Sequence, residues 1–137
     1  DGYIIIGLYN AIGRIRTKIR KYIYKIFGKK IITILDPILR KIDKNSQYKI
    51  DAWIRDQYLH PIEHIHTFDE ILKWFDQNDI EFINSIPQCS FFETLNESYF
   101  EKKSRGTHFE RYIQQIFMVF NRLGSEGGLF IFIGKKK

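Results

Sequence analysis

The densest run of chemistry-bearing side chains lies between Asp56 and His66, where Asp56, Tyr58, His60, Glu63, His64 and His66 fall within one short stretch. Histidines and carboxylates this close raise zinc first, since structural and catalytic zinc sites use those ligands at short spacings. The spacing departs from the strong patterns, however, with no His-Glu-x-x-His and no paired cysteines. His60-Pro61 also favours an extended or turning backbone over one helical face of ligands. The stretch therefore reads as a polar loop, and no bound metal is expected. Cys89 follows Pro87-Gln88 with no base nearby in sequence and reads as inert. Nothing resembles a nucleophile elbow or a phosphate-binding loop.

The elements that must position such residues follow from periodicity. Tyr3 to Asn10 is a nearly continuous apolar run, the pattern of a strand buried on both faces. From Ala11 to Phe27, Ile12, Ile15, Ile19, Ile23 and Ile26 recur at helical spacing, with Gly28 as the stop. Ile31 to Leu35 is a short apolar run before Asp36-Pro37, Asp43 to Gln47 reads as a loop, and Tyr48 to Tyr58 as a helix. Thr67 and Glu70 form a capping box opening a helix that packs with Ile71, Leu72, Trp74 and Phe75. After Asn78-Asp79, Ile80 to Ile86 reads as a strand stopped by Pro87. Phe91 to Ser104 reads as a surface insertion. Thr107 and Glu110 repeat the capping box and start a helix expected to turn Phe109, Tyr112, Ile113, Ile116, Phe117 and Phe120 inward, ending at Gly124. Gly127-Gly128 makes a turn, Leu129 to Ile133 a last strand, and Lys135 to Lys137 a solvated tail.

A chain of 137 residues allows a single core and little more. No apolar run approaches the ~20 residues of a membrane-spanning helix, no secretory leader is evident, and the lone cysteine suits a reducing cytoplasm. The net charge of +6 is uneven: between Asp1 and Asp36 there is no acidic residue, while Arg14, Arg16, Lys18, Arg20, Lys21, Lys25, Lys29 and Lys30 fall there. A field of that sign attracts nucleic acid or an anionic membrane. For the isoleucine helix the plainer expectation is docking on a core with its lysines in water, because interfacial helices more often present Trp, Phe or Leu.

The sequence begins Asp1-Gly2-Tyr3, and its only methionine is Met118. A central strand at Tyr3 needs neighbours, and only two later candidates follow, so further strands are expected upstream; the alternative is a complete small α+β domain that has been trimmed. In order and spacing, Gly2 to Asn10, Trp53 to Phe75 with its Asp56-Gln57-Tyr58-Leu59-His60-Pro61 core, and Glu126 to Gly134 look like an uncharacterised bacterial subgroup of the class I S-adenosylmethionine-dependent methyltransferases. The resemblance spans nearly the whole chain. It implies an α/β fold, namely the C-terminal part of a Rossmann-like sheet, with Gly2 to Leu8 as strand five, Thr67 to Asn78 as the helix after it, Ile80 to Ile86 as strand six and Gly128 to Ile133 as strand seven. Residues 1–137 would then be a single partial domain, with 11–66 a helical lid-like insertion.

The same resemblance implies the site. Ligands in such sheets bind beyond the carboxyl ends of the strands, which points to Tyr9 and Asn10. Asp56, Tyr58 and His60 in the insertion would hold the methyl acceptor or take its proton. The cofactor would be S-adenosylmethionine, yet the family's glycine-rich turn and acidic strand end are not in this sequence, so no cofactor-binding residue is expected here and the segment alone would be inactive. Its partner would be the upstream half of the same protein, and the acceptor is unnamed. The rival expectations are a non-enzymatic basic module for nucleic acid or anionic membrane, and a scaffold subunit completing its sheet with another chain.

Overall fold

The computed structural model describes residues 2–60, 62–93, 98–120 and 127–136. It is a mixed α/β structure, divided into two compact units: Asp1–Arg14 with Ile65–Lys137, and Ile15–His64.

The first unit is built on a four-stranded sheet of order β2-β1-β4-β3, with β1 at Tyr3–Asn10, β2 at Ile65–His66, β3 at Ile80–Ile86 and β4 at Leu129–Lys136. β4 runs antiparallel to both β1 and β3, so β1 and β3 are parallel to one another. α3 (Phe68–Gln77) crosses between them in sequence, and α4 (His108–Phe117) precedes β4. Register pairs Ile6 with Phe132 and Leu8 with Phe130, so these four side chains share one face. α3 covers that face with Phe68, Ile71, Leu72 and Phe75, making a core centred on Phe132. Gly134 lies opposite Ile4 and Phe82 because the Phe75 ring needs the space a side chain would fill. Both helices open with the expected capping boxes, Thr67 with Glu70 and Thr107 with Glu110.

Several expectations are corrected here. β1 is not buried on both faces: Ile4 and Ile5 are exposed, and beyond β4 it pairs, among the described residues, only with β2 at Tyr9 and Asn10. Among the described residues its outer edge from Tyr3 to Leu8 therefore has no strand partner. The apolar stripe of α4 does not face inward. Phe109, Tyr112 and Phe117, with Phe120 just past the helix end, are exposed and Ile113 and Ile116 are only half-buried, while Gln115 is buried and Met118 at the C-cap joins the apolar core, because the inner side of the helix itself is tied by the polar bonds of Gln115. Lys135 and Lys136 belong to β4 rather than to a tail: Lys135 pairs with Tyr3 and Glu81, and Lys136 Nζ donates to the carbonyl of Asn78 at 2.9 Å. Part of the 91–104 stretch packs against the sheet: Lys103 N donates to the Ile83 carbonyl of the edge strand β3 at 2.7 Å, and Phe100 packs edge-on to Tyr3. Gly124 lies outside the described residues.

The second unit is helical, with α1 at Ile15–Leu35 broken by Gly28 (φ 71°), a short 3-10 turn at Leu39–Lys41, and α2 at Gln47–Tyr58. Its core gathers Ile32, Leu39, Ile50, Ile54 and Tyr58. Within this unit the expected docking of the isoleucine stripe is made only in part: Ile15, Ile19 and Ile26 are exposed, Ile23, like Ile12 ahead of the helix, is half-buried, and Thr17 is the buried residue of the first limb.

Candidate functional site

The carboxyl end of β1 is organised by Asn10, which is fully buried. Its Oδ1 accepts from Ile12 N at 3.0 Å and Gly13 N at 2.9 Å, folding residues 11–14 into a turn. Its Nδ2 donates to the His66 carbonyl at 3.3 Å and to Gln115 Oε1 at 2.8 Å. An asparagine suits this position because one short amide supplies both two acceptor and two donor directions. Gln115 completes the node: Oε1 also accepts from Phe68 N at 3.2 Å, and Nε2 donates to the Arg111 carbonyl at 3.0 Å. One pair of amides thus joins β1, β2, the start of α3 and α4. Gly128 (φ 75°) closes over the turn, receiving a bond from Asn10 N at 2.7 Å, and a Cβ there would lie 2.9 Å from Arg14 Cγ. Arg14 is buried with its guanidinium 4.2 Å above the ring of half-buried Tyr9. His66 Nδ1 stands 3.5 Å from Glu70, and its ring meets Trp74 edge-on.

The remaining residues singled out from the sequence, Asp56, Tyr58 and His60, belong to the helical unit, whereas Tyr9 and Asn10 belong to the sheet unit. Asp56 is exposed and accepts from Gln57 Nε2 at 2.7 Å. His60 is exposed, and its carbonyl accepts from Lys21 Nζ at 2.9 Å. Tyr58 points inward, stacks on Tyr24 and donates its hydroxyl to Asp36. Asp36 is the centre that the sequence did not reveal. Its buried carboxylate also accepts from Trp53 Nε1 at 2.9 Å, Ile38 N at 2.7 Å and Leu39 N at 3.3 Å. Burial pushes this carboxyl up, but the bonds from Tyr58, Trp53 and Ile38 and the Arg20 charge together hold it below its ordinary value.

Two further polar centres are structural in their geometry. Arg111 donates to Asp69 through Nε at 2.7 Å and to the carbonyls of Arg105 and Gly106 at 3.0 and 2.6 Å, tying α4 to α3 and to the loop before it. Beside it a cleft of about 460 Å³ is lined by Asp69, Lys73, Asp76 and Arg105, with Arg105 paired to Asp76 at 2.8 Å. Glu110 is held down to about 2 by the Thr107 N–H first and the Ser90 hydroxyl next. Cys89 is buried, which pushes its thiol up to about 12, so it stays protonated and unreactive at neutral pH. Among the described residues no group of three or more His, Cys, Asp and Glu is placed to hold a metal ion, and no helix is long and apolar enough to cross a membrane.

Comparison with known proteins returned no matching family model, no matching curated protein and no matching solved structure.

Proposed function

We propose that this chain is the C-terminal segment of a cytoplasmic, Rossmann-like S-adenosylmethionine-dependent methyltransferase, contributing the late strands of its sheet and, through the helical unit, an acceptor-side lid. The observation that carries the reading is the sheet itself. A parallel strand pair, β1 and β3, is joined through α3, and the hairpin strand β4 returns antiparallel between them. This is the succession of strand, helix and closing hairpin that the sequence resemblance implies. The outer edge of β1, without a strand partner among the described residues, supports it too, since such a row of backbone N–H and C=O groups is a template for another strand. Exposed Ile5 on the second sheet face, and exposed Phe109 on α4 with Phe120 in the turn after it, fit a sheet whose remaining elements lie elsewhere in a longer protein.

The residues present do not fit the cofactor. Asn10 and Gln115 use their amides on one another and on the backbone, and Glu70 accepts from Thr67 N at 2.7 Å within its capping box. Gly128 closes against Arg14 and Gly13 rather than standing open to a ligand's approach. S-adenosylmethionine would therefore be held by upstream elements, with Tyr9 as the side chain of this segment nearest in role to a pocket wall. Asp56 and His60, both exposed on the helical unit, remain available to an acceptor.

The test is to read the coding DNA upstream of Asp1 and to measure cofactor binding by calorimetry on the extended product and on the 137-residue chain. The extended product is expected to bind S-adenosylmethionine, and the chain alone neither to bind it at micromolar concentration nor to transfer methyl groups. A start codon directly before Asp1, or an extended product without cofactor binding, overturns the reading.

A further inference from the structure

The first limb of α1, ahead of the break at Gly28, carries Ile15, Ile19, Tyr22 and Ile26 at spacings of four, three and four. With 3.6 residues per turn these four fall on one narrow stripe. All four face solvent, Tyr22 at 69% and Ile26 at 72% exposure. The opposite side of the limb is the docked one: Thr17 is buried, Tyr24 stacks on Tyr58, and Arg20 approaches Asp36. The helix is thus anchored through its polar and aromatic side and leaves its isoleucines outward. Arg16, Lys18 and Lys25 border the stripe and are exposed, and no acidic residue occurs between Gly2 and Leu35.

A second feature of the same unit has the same character. A groove of about 870 Å³ has Lys29, Lys30, Arg40 and Lys44 at its rim. Its floor is apolar, made by Ile34, Leu39 and Ile50. Lys29 is paired with Asp51 at 2.6 Å, whereas Lys30, Arg40 and Lys44 form no ion pair among the described residues. An apolar floor under a cationic rim is complementary to an amphiphile with an anionic head and a hydrocarbon tail.

The geometry points to the unit Ile15–His64 as a docking element for an anionic phospholipid surface. The stripe of α1 lies in the headgroup layer with its flanking cations among lipid phosphates, and the groove takes the head and upper chain of one lipid. The cations alone would also suit nucleic acid, but phosphate contacts there would leave the isoleucines in water, and burial of that stripe is what the lipid interface supplies. This inference does not rest on the methyltransferase reading.

The test is co-sedimentation of the chain with vesicles of phosphatidylcholine alone and with vesicles rich in phosphatidylserine. Binding is expected to the second and not the first, and to weaken with added salt. The double variant Ile19→Asp with Ile26→Asp replaces exposed side chains, so its circular dichroism should be unchanged while its partition to anionic vesicles falls about tenfold or more. Lys18→Glu with Lys25→Glu should reduce partition about tenfold as well. Arg40→Glu with Lys44→Glu should abolish capture of a short-chain phosphatidylserine monomer. No binding to anionic vesicles, or binding that survives both stripe variants, overturns the proposal. So does tighter binding of single-stranded RNA that ignores the Ile→Asp changes, or a dimer that those changes dissociate, which would give the stripe to nucleic acid or to a second copy.

Discussion

Replacing Asp36 by alanine should be among the most damaging single changes in the helical unit. The carboxylate is 2% exposed and receives bonds from Tyr58, Trp53, Ile38 N and Leu39 N. Alanine removes the acceptor and leaves the Tyr58 and Leu39 donors buried, and the Trp53 and Ile38 donors partly buried, without it. Each buried donor left unmade costs about 1–3 kcal/mol. Part of that is recovered if water enters the vacated volume, so the net loss is set at about 3–5 kcal/mol. Tyr58→Phe removes one donor and keeps the acceptor, which should cost about 1.5–3 kcal/mol. Because the carboxyl is held below its ordinary 3.8, its contribution is full above that pH and is lost as the pH falls through the lower folded value. Of the two tryptophans, Trp53 reports on this cluster, so the assay is urea unfolding followed by fluorescence in a Trp74→Phe background. An Asp36→Ala loss within about 0.5 kcal/mol, the range of an ordinary surface change, or a Tyr58→Phe loss as large as it, would refute this account of the cluster.

Glu110 accepts from Thr107 N, Ser90 Oγ and Phe91 N. Its carboxyl sits at about 2 in the folded chain against an ordinary 4.5, so its stabilisation is complete above 4.5 and drains away as the pH drops toward 2. Melting temperatures of Glu110→Gln should therefore vary less than those of the parent over that interval, and parallel curves would count against the contact. Gly134→Ala would drive a Cβ into Ile80 and to 2.8 Å from Phe75 Cε2, and is expected to cost about 1–3 kcal/mol in urea unfolding. Gly7→Ala on the neighbouring strand meets nothing within 4 Å and should be near neutral, so equal losses at the two positions would sink the packing argument.

What could be read from the sequence was what local physics determines. Thr67 with Glu70 and Thr107 with Glu110 were legible because a capping box is complete within four residues. The strands at Tyr3, Ile80 and Leu129 were legible as apolar runs between turn residues. The orientation of the two amphipathic helices was not. A stripe such as Phe109, Tyr112 and Phe120 shows that a helix has two faces, but here the inward face was settled by Gln115 meeting Asn10 across 105 positions. The Asp36 centre was hidden for a similar reason: before Pro37 the aspartate merely follows a short apolar run, and its partners Trp53 and Tyr58 are seventeen and twenty-two residues away. β2 escaped notice because two residues carry no period. Lys135 and Lys136 were mistaken for a tail because charge outweighed their cross-strand partners, which the sequence does not display.

The parallel pairing of Tyr9 with Ile65 and of Asn10 with His66 also works as a clasp. The chain leaves the sheet and re-enters it at adjacent rungs, with Ala11 N bonded to the His66 carbonyl at 3.0 Å. Whatever is threaded between those rungs is, to the sheet, a loop whose closure entropy grows only with the logarithm of its length. The excursion can lengthen, shrink or be exchanged as a cassette while the strand register stays as it is. A frame of this kind lets one stretch of sequence change the surface it presents without renegotiating the core that holds its ends.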